Sequence, residues 1–298
     1  MPYYPQSPGF YPPLNSVTDG QLVDMPDGTV KGRALGAGLG DPTNLTPAQL
    51  QAILGYPVPV RHDCRFDYIN TTTCRLGRYG GTQITIDAQL RTIPVAGVDL
   101  AFNTGWAPAG VVLYVYAVWT GSAITLAVDP TAPTVDPRDG NSVMIGHSDF
   151  TLVGMIVGGY GNFLMTSQHI GVLSAWNKFK KAIQIAWSSV QSGSTTPVQL
   201  AAGTQYTLAW GDEAIEVLIS GYGTNSVAGG LVLIDAYING VGAGGIVGVH
   251  CVGANYLVPQ ISMQSKIPAA GWWQVSPFVY VNAGTGTWTG MQSLIARG

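Results

Sequence analysis

At 298 residues the chain has room for two domains of ordinary size. Only 10% of its residues are charged, the formal net charge is −3, 40 residues are glycine, and the mean hydropathy is +0.23. So thin and scattered a set of basic residues excludes nucleic-acid binding through a basic face. No window of about 20 apolar residues runs free of Gly, Asn, Gln or His, which excludes insertion into a membrane by helices. A non-membrane chain with so few charges is expected to hide surface in oligomer contacts or in a larger assembly.

Met1–Pro13 carries five prolines and no charge, which predicts extended or turn backbone and no secretory leader. Asn15–Val30 is polar, with Asp19-Gly20 and Asp27-Gly28 as turn signals. Asp24–Gly55 is the most regularly punctuated stretch: Lys31-Gly32-Arg33, then Gly36, Gly38 and Gly40, then Asp41-Pro42. A short helix over Pro47–Leu54 follows, with Thr46 as N-cap, Pro47 at the first helical position, Gln49 closing a capping box and Gly55 ending it. Its apolar face holds Leu50, Ile53 and Leu54. Eight residues cannot hold a helix alone in water, so this segment is expected to dock on a partner.

From Tyr56 onward, short β-rich runs alternate with turn clusters. Arg65–Arg75 predicts a strand pair, and Gln83–Leu90 alternates at period 2 as one half-buried strand would. Val111–Trp119 and Ala123–Val128 flank Thr120-Gly121, a hairpin signal. Asp129–Asn141, with three prolines, reads as a loop, and Phe150–Val157 and Asn162–Thr166 as further strands of a sandwich. Leu173–Trp187 holds Lys178, Lys180 and Lys181, the densest positive cluster, and fits either a short amphipathic helix or a strand. Ser188–Pro197 is small and polar, a module boundary. Strands are then predicted at Tyr206–Trp210, Ile215–Ile219, Leu231–Ile238, Ile246–Cys251, Trp273–Val281 and Thr287–Ile295. The resulting expectation is a mostly β chain with three parts: an extended arm with one short helix (1–55), a first antiparallel β-sandwich module (56–187) and a second (188–298), jelly-roll-like in layout.

Chemistry-bearing residues form no recognisable catalytic motif. His62, His147, His169 and His250 lack metal-binding spacing, and Gly36, Gly38 and Gly40 do not make a phosphate-cradling loop. His62-Asp63-Cys64 and the acidic run Asp212, Glu213, Glu216 read more simply as strand-end and turn residues than as a nucleophile pair or a glycosidase pair. Cys64, Cys74 and Cys251 are expected as buried free thiols, with a Cys64–Cys74 bridge as the alternative. No catalytic residue, metal or cofactor is expected. Sugar binding needs only exposed rings beside hydrogen-bonding groups, and Tyr222 with Asn225, Tyr256, Trp272, Trp273 and Trp288 are its candidates. Each also has an ordinary reading as core or subunit contact, and of the tandem Trp272-Trp273 one must face the core if both lie in a strand.

The spaced residues Lys31-Gly32-Arg33, Gly36, Gly38, Gly40-Asp41-Pro42 and Leu45-Thr46…Gln49 resemble the N-terminal segment of many tailed-bacteriophage fibre and spike proteins. Cys74-Arg75-Leu76, Ile93-Pro94…Gly97, Tyr114–Ala117, Thr151–Met155 and Ser174…Trp176-Asn177 resemble a β module of phage structural proteins, with Ala175 departing from its pattern. The end, Val275–Phe278 with Gly284–Thr287 and Ile295–Gly298, is similar to the last strands of a second such module. The resemblance implies a non-enzymatic virion subunit, assembled in the cytoplasm of a bacterial host. It would be a homotrimer attached to other virion proteins through Lys31, Gly32, Arg33, Gly36, Gly38, Asp41, Leu50, Ile53 and Leu54. A tail fibre or spike contacting a host surface glycan is the first expectation; a capsid decoration or head-fibre protein is the second, and a glycan depolymerase the third.

Overall fold

A computed structural model describes residues 30–32, 36–37, 43–45, 49–50, 53, 60–106, 110–158, 161–178, 180–211, 213–242, 247–250, 256–266 and 269–297. The chain divides into two compact units, Met1–Pro59 and Val60–Gly298.

In the first unit β1 (Lys31–Gly32) pairs antiparallel with β2 (Thr43–Asn44), and the Leu45 N–H donates to the Val30 carbonyl at 2.8 Å. A Cβ at Gly32 would lie 2.7 Å from a Leu45 methyl, so a larger residue there would have to shift the leucine side chain. Gly36 takes φ +77° in the intervening turn. Gln49, Leu50 and Ile53 have helical backbone, where a helix is expected from sequence. Arg33, Gly38, Asp41 and Leu54, named above for attachment, lie outside the described residues, as do the capping residues Thr46, Pro47 and Gly55.

The second unit is almost entirely β, as expected, and is built from stacked, mainly antiparallel sheets. Its first sandwich opens with β3 (Cys64–Asn70), β4 (Thr73–Arg78) and β7 (Val98–Ala101), a three-stranded sheet ordered β3-β4-β7. Beside it is the hairpin of β5 (Gln83–Ile86) and β6 (Gln89–Thr92). Opposite lies a six-stranded sheet. It is made of β8 (Val112–Trp119), β9 (Ile124–Asp129), β10 (Pro133–Val135), β11 (Ser142–Met144) and β12 (His147–Val157) in the order β10-β11-β12-β8-β9, with β14 (Val172–Ser174) paired to β12. Phe66, Leu76, Ile84, Ile86, Val115, Val153, Ile156 and Phe163 fill the space between.

The second sandwich has a seven-stranded sheet, β13 (His169–Ile170), β18 (Gln205–Ala209), β24 (Gly271–Val281), β20 (Leu231–Ile238) and β21 (Val241–Gly242) in that order. To it are added β17 (Val198–Gln199) on β24 and β22 (Val247–His250) on β20. Facing it are β15 (Lys181–Trp187), β25 (Gly286–Arg297), β19 (Ala214–Asn225) and β23 (Tyr256–Lys266), with β16 (Val190–Ser192) on β25. Ile215, Val217, Ile219, Val232, Ile234, Val279, Trp288 and Ile295 are among the residues closing this core. The two sandwiches meet back to back. On β8, Leu113, Val115 and Ala117 enter the first core while Tyr114 and Tyr116 turn the other way, into a cluster with Leu152, Met155 and Leu173 that also takes in Leu208, Trp210 and Trp272.

Several elements differ from the sequence expectation. Gln83–Leu90 is not one strand: Asp87 and Ala88 take φ +54° and +53°, turning the chain into the β5–β6 hairpin, and the alternation simply runs on through a two-residue turn. The proline-rich loop contains the short edge strand β10. Asn162–Thr166 is no strand; it makes one isolated bridge, Met165 to Ile170, because the Phe163 N–H turns to the Thr71 carbonyl and its ring plugs the first core. Lys181–Trp187 resolves as a strand rather than a helix. It pairs residue by residue with β25, from Lys181↔Arg297 to Trp187↔Met291, so it completes the second sandwich although the sequence assigns it to the first module. Finally, β23 was not expected: Pro259 interrupts its pattern, but it falls on an edge strand at the register shift opposite Ile219 and Gly221, where a missing N–H is harmless.

Candidate functional site

The most developed polar–aromatic group lies on the face of the seven-stranded sheet turned away from the second core, where Trp272 borders the seam with the first sandwich. His169 on β13 sits in register with Tyr206 on β18, while Leu208, two residues along, sits opposite Trp272 on β24. The diagonal relation of Tyr206 and Trp272 lets both rings share one face. The three rings are nearly parallel: His169 and Tyr206 centroids are 5.4 Å apart at 9°, Tyr206 and Trp272 5.7 Å at 14°, and His169 and Trp272 6.1 Å at 6°. Polar groups frame them. His169 Nδ1 is 2.9 Å from Thr166 Oγ1, and Gln274 Nε2 donates to the Tyr206 hydroxyl at 3.3 Å. Burial lowers the His169 pKa, which favours the neutral ring. Parallel half-buried rings ringed by hydroxyl and amide groups suit the C–H face and hydroxyls of a sugar.

Of the residues singled out from sequence for sugar contact, Trp272 is in this group and the others are not. Trp273 faces inward against the second core. Trp288 is 0% exposed in that core and offers nothing to a ligand. Tyr222 is 51% exposed but lies on β19, in the opposite sheet. Asn225 is consumed structurally: its amide donates to the Leu231 and Ala283 carbonyls, and its Oδ1 accepts from the Val227 N–H. Tyr256 is a strand residue in register with Gly223, and its side chain lies outside the described part. His169, Tyr206 and Gln274 were missed. Tyr206 and Gln274 lie in predicted β runs and His169 in none, and a run does not say which strand will be its neighbour.

The attachment residues fare differently. Lys31 and Gly32 form β1, Leu50 is half-buried, and Ile53 is 40% exposed within its unit.

The remaining chemistry-bearing groups are engaged in structure. Cys64 and Cys74 are free and buried. Burial pushes the Cys64 thiol up to about 12, reinforced by the Asp63 charge, so it stays protonated and non-nucleophilic. Glu213 accepts the Trp210 N–H at 2.8 Å and Lys178 Nζ at 2.9 Å, while Glu216 is exposed on β19 and Asp212 lies outside the described residues. Among the described residues no three His, Cys, Asp or Glu side chains gather as a metal ion would require.

No protein-family model and no curated protein matches the chain. Among solved structures, the T=1 particle derived from infectious bursal virus is 11% identical, with 85% of this chain and 75% of that one covered at a TM-score of 0.32. The VP2 subviral particle of infectious bursal disease virus is 12% identical, covering 85% and 77% at 0.32. The insecticidal delta-endotoxin Cry8Ea1 of Bacillus thuringiensis is 8% identical, covering 78% of this chain and 51% of that one at 0.27. Superpositions at this level carry no functional argument.

Proposed function

We propose that this chain is a structural subunit of a bacteriophage virion, a trimeric tail fibre or spike. In this reading residues 1–55 fix it to the particle, and the β unit is carried outward to the host surface, where the His169–Tyr206–Trp272 rings take a saccharide. The observation that supports it best is the division of the chain at Pro59/Val60, close to Gly55, where the glycine-spaced docking segment ends in the sequence. The partly exposed Leu50 and Ile53 leave that segment apolar surface still to bury, worth about 1–3 kcal/mol per side chain once covered. The low charge content fits a subunit with much of its flank against copies of itself.

Removing residues 1–59 is expected to leave a folded trimer that no longer joins particles. Light scattering after size exclusion measures the first, and immunodetection on purified virions the second. A truncated protein that still incorporates, or one that falls to monomers, refutes the attachment role. Gold labelling of intact particles then separates tail from head, and label over the capsid shell replaces the fibre reading with a decoration protein.

A further inference from the structure

Along β20, Val232, Ile234, Ala236 and Ile238 enter the second core, so Leu233, Asp235 and Tyr237 point to the other face of the seven-stranded sheet. On β24, Val279 and Val281 are core residues, which puts Phe278 and Tyr280 on that same face. Asp235 stands directly opposite Phe278 and diagonal to Tyr280, whose own partner is Leu233. The Tyr237 and Phe278 rings stack at 3.9 Å between centroids and 29°. A carboxylate is thus set among three aromatic rings, and no role assigned so far uses it.

Asp235 is only 3% exposed, yet it makes no ion pair among the described residues. Its Oδ1 accepts the adjacent Ala236 N–H at 2.7 Å, and Oδ2 accepts no hydrogen bond from a described residue. Burial raises its pKa, with the Ala236 backbone hydrogen bond pulling the other way. A carboxylate this deep without a cation is costly, and packing alone gives no reason to keep it. Oδ2 borders unfilled space. Gly242 is exposed on the edge strand β21 opposite Tyr237, and a Cβ placed on it would lie 3.7 Å from Asp235 Oδ2 and 3.6 Å from Tyr237 Cζ. A group at that point would touch both at ordinary contact distance, and glycine leaves it open. The Tyr280 hydroxyl shares the neighbourhood: burial first, then the Asp235 carboxylate and Tyr237, raise its pKa. Neither tyrosine hydroxyl has a hydrogen bond among the described residues. A metal ion would lack further oxygen or nitrogen ligands there, and a neutral molecule would leave the buried charge unopposed. An ammonium group supplies the missing charge, its three N–H donors match one carboxylate and two phenolic oxygens, and aromatic faces attract it.

We propose that Asp235, with Tyr237, Phe278 and Tyr280, binds a primary alkylammonium group that enters beside Gly242. The ammonium lies on Asp235 Oδ2 and the tyrosine hydroxyls, and its alkyl chain on the rings. The site stands independently of the virion reading, since every group in it belongs to the β unit.

The test titrates the purified full chain with butylammonium, butanol and tetramethylammonium at neutral pH, by saturation-transfer NMR and calorimetry. Saturable butylammonium binding is expected, with the other two each at least about tenfold weaker, since butanol lacks the charge and tetramethylammonium the N–H donors. Asp235→Asn keeps an acceptor for the Ala236 N–H and removes the buried charge. It is expected to weaken butylammonium at least about tenfold without lowering the thermal midpoint. Gly242→Ala sets a methyl where the ammonium would sit, at an exposed position with room for it, and is expected to weaken binding to a similar degree. Nα-acetyl-lysine amide binding more tightly than butylammonium would assign the group to a lysine side chain, and no tighter binding to a free amine; either result supports the site. Equal binding of butanol or tetramethylammonium, full affinity in either variant, or no saturable binding would overturn the proposal. So would a clear loss of stability in Asp235→Asn, which would give the carboxylate a structural task instead.

Discussion

His62 shows how a single partly buried side chain makes the fold sensitive to pH. Its ring lies on Trp176 at 3.7 Å and 6°, and both ring nitrogens are buried without a hydrogen-bond partner among the described residues. The Asn141 Oδ1 is buried and unpartnered too. Burial pushes His62 down from 6.5 to about 4, against the opposing pull of the Asn141 side chain and the Asp63 carboxylate. The unfolded chain takes up a proton near pH 6.5 and the folded one only near 4, so across that window the unfolded state binds more protons. Stability must then fall as pH drops from 6.5 to 4, by about 2–3 kcal/mol in all. Asp99, Asp129 and Asp136, held low chiefly by hydrogen bonds from Arg75, Thr131 and Arg138 respectively, lose their contribution only as pH falls through their lowered values, below this window. His62→Phe keeps the stack and removes the titration. Its urea midpoint is expected to decline less than that of the parent from pH 6.5 to 4.5, the remainder coming from His169, whose pKa burial also lowers; parallel declines in the two proteins would remove His62 as the cause.

Among the elements, the β5–β6 hairpin carries a local conflict between sequence and backbone. Ala88 is held at φ +53°, a conformation that costs an L residue roughly 1–2 kcal/mol and a glycine little. Asp87 earns its place in the same turn by accepting from Arg138 at 3.0 Å, so only Ala88 is free to change. Ala88→Gly should raise the unfolding free energy by about 0.5–1 kcal/mol, measured by denaturant titration, and a loss of stability would mean the turn is not of this type. The same hairpin shows where sequence reasoning stops. Val112–Trp119 was legible because both of its faces are covered, Val115 by one core and Tyr116 by the seam between sandwiches, so its residues read as a continuous apolar run. Gln83–Leu90 alternates straight through its tight turn and so reads as one strand, while Pro259 interrupts Tyr256–Lys266 and hides an edge strand. The opposite facing of Trp272 and Trp273 followed from strand geometry alone. The partners of Trp272 did not, because His169 and Tyr206 reach it only through pairings between strands far apart in the chain.

At the scale of the whole β unit, the sequence boundary at Ser188 and the physical one diverge. β13 and β15 both precede Ser188, yet β13 is the edge of the seven-stranded sheet and β15 lies along Met291–Arg297 of β25. Ile183 and Ile185 pack on the second core, and Trp187 is buried within it. The seam adds Leu208, fully buried against the back of the first sandwich with Tyr116 and Met155. Cutting the chain at Ser188 would strip the second sandwich of two strands and a buried tryptophan, and leave β25 with an unpaired edge over most of its length. A Trp→Ala change in a core alone costs about 3–5 kcal/mol, a large part of the 5–15 kcal/mol that holds a domain together. Fragments 60–187 and 188–298 are therefore expected to be unfolded or aggregated when expressed apart. Val60–Gly298 should fold and melt in one calorimetric transition whose van't Hoff and calorimetric enthalpies agree. Two resolved transitions, or a soluble 188–298 fragment with native-like near-ultraviolet dichroism, would show that the sandwiches are separable modules and that the seam and the borrowed strands add little.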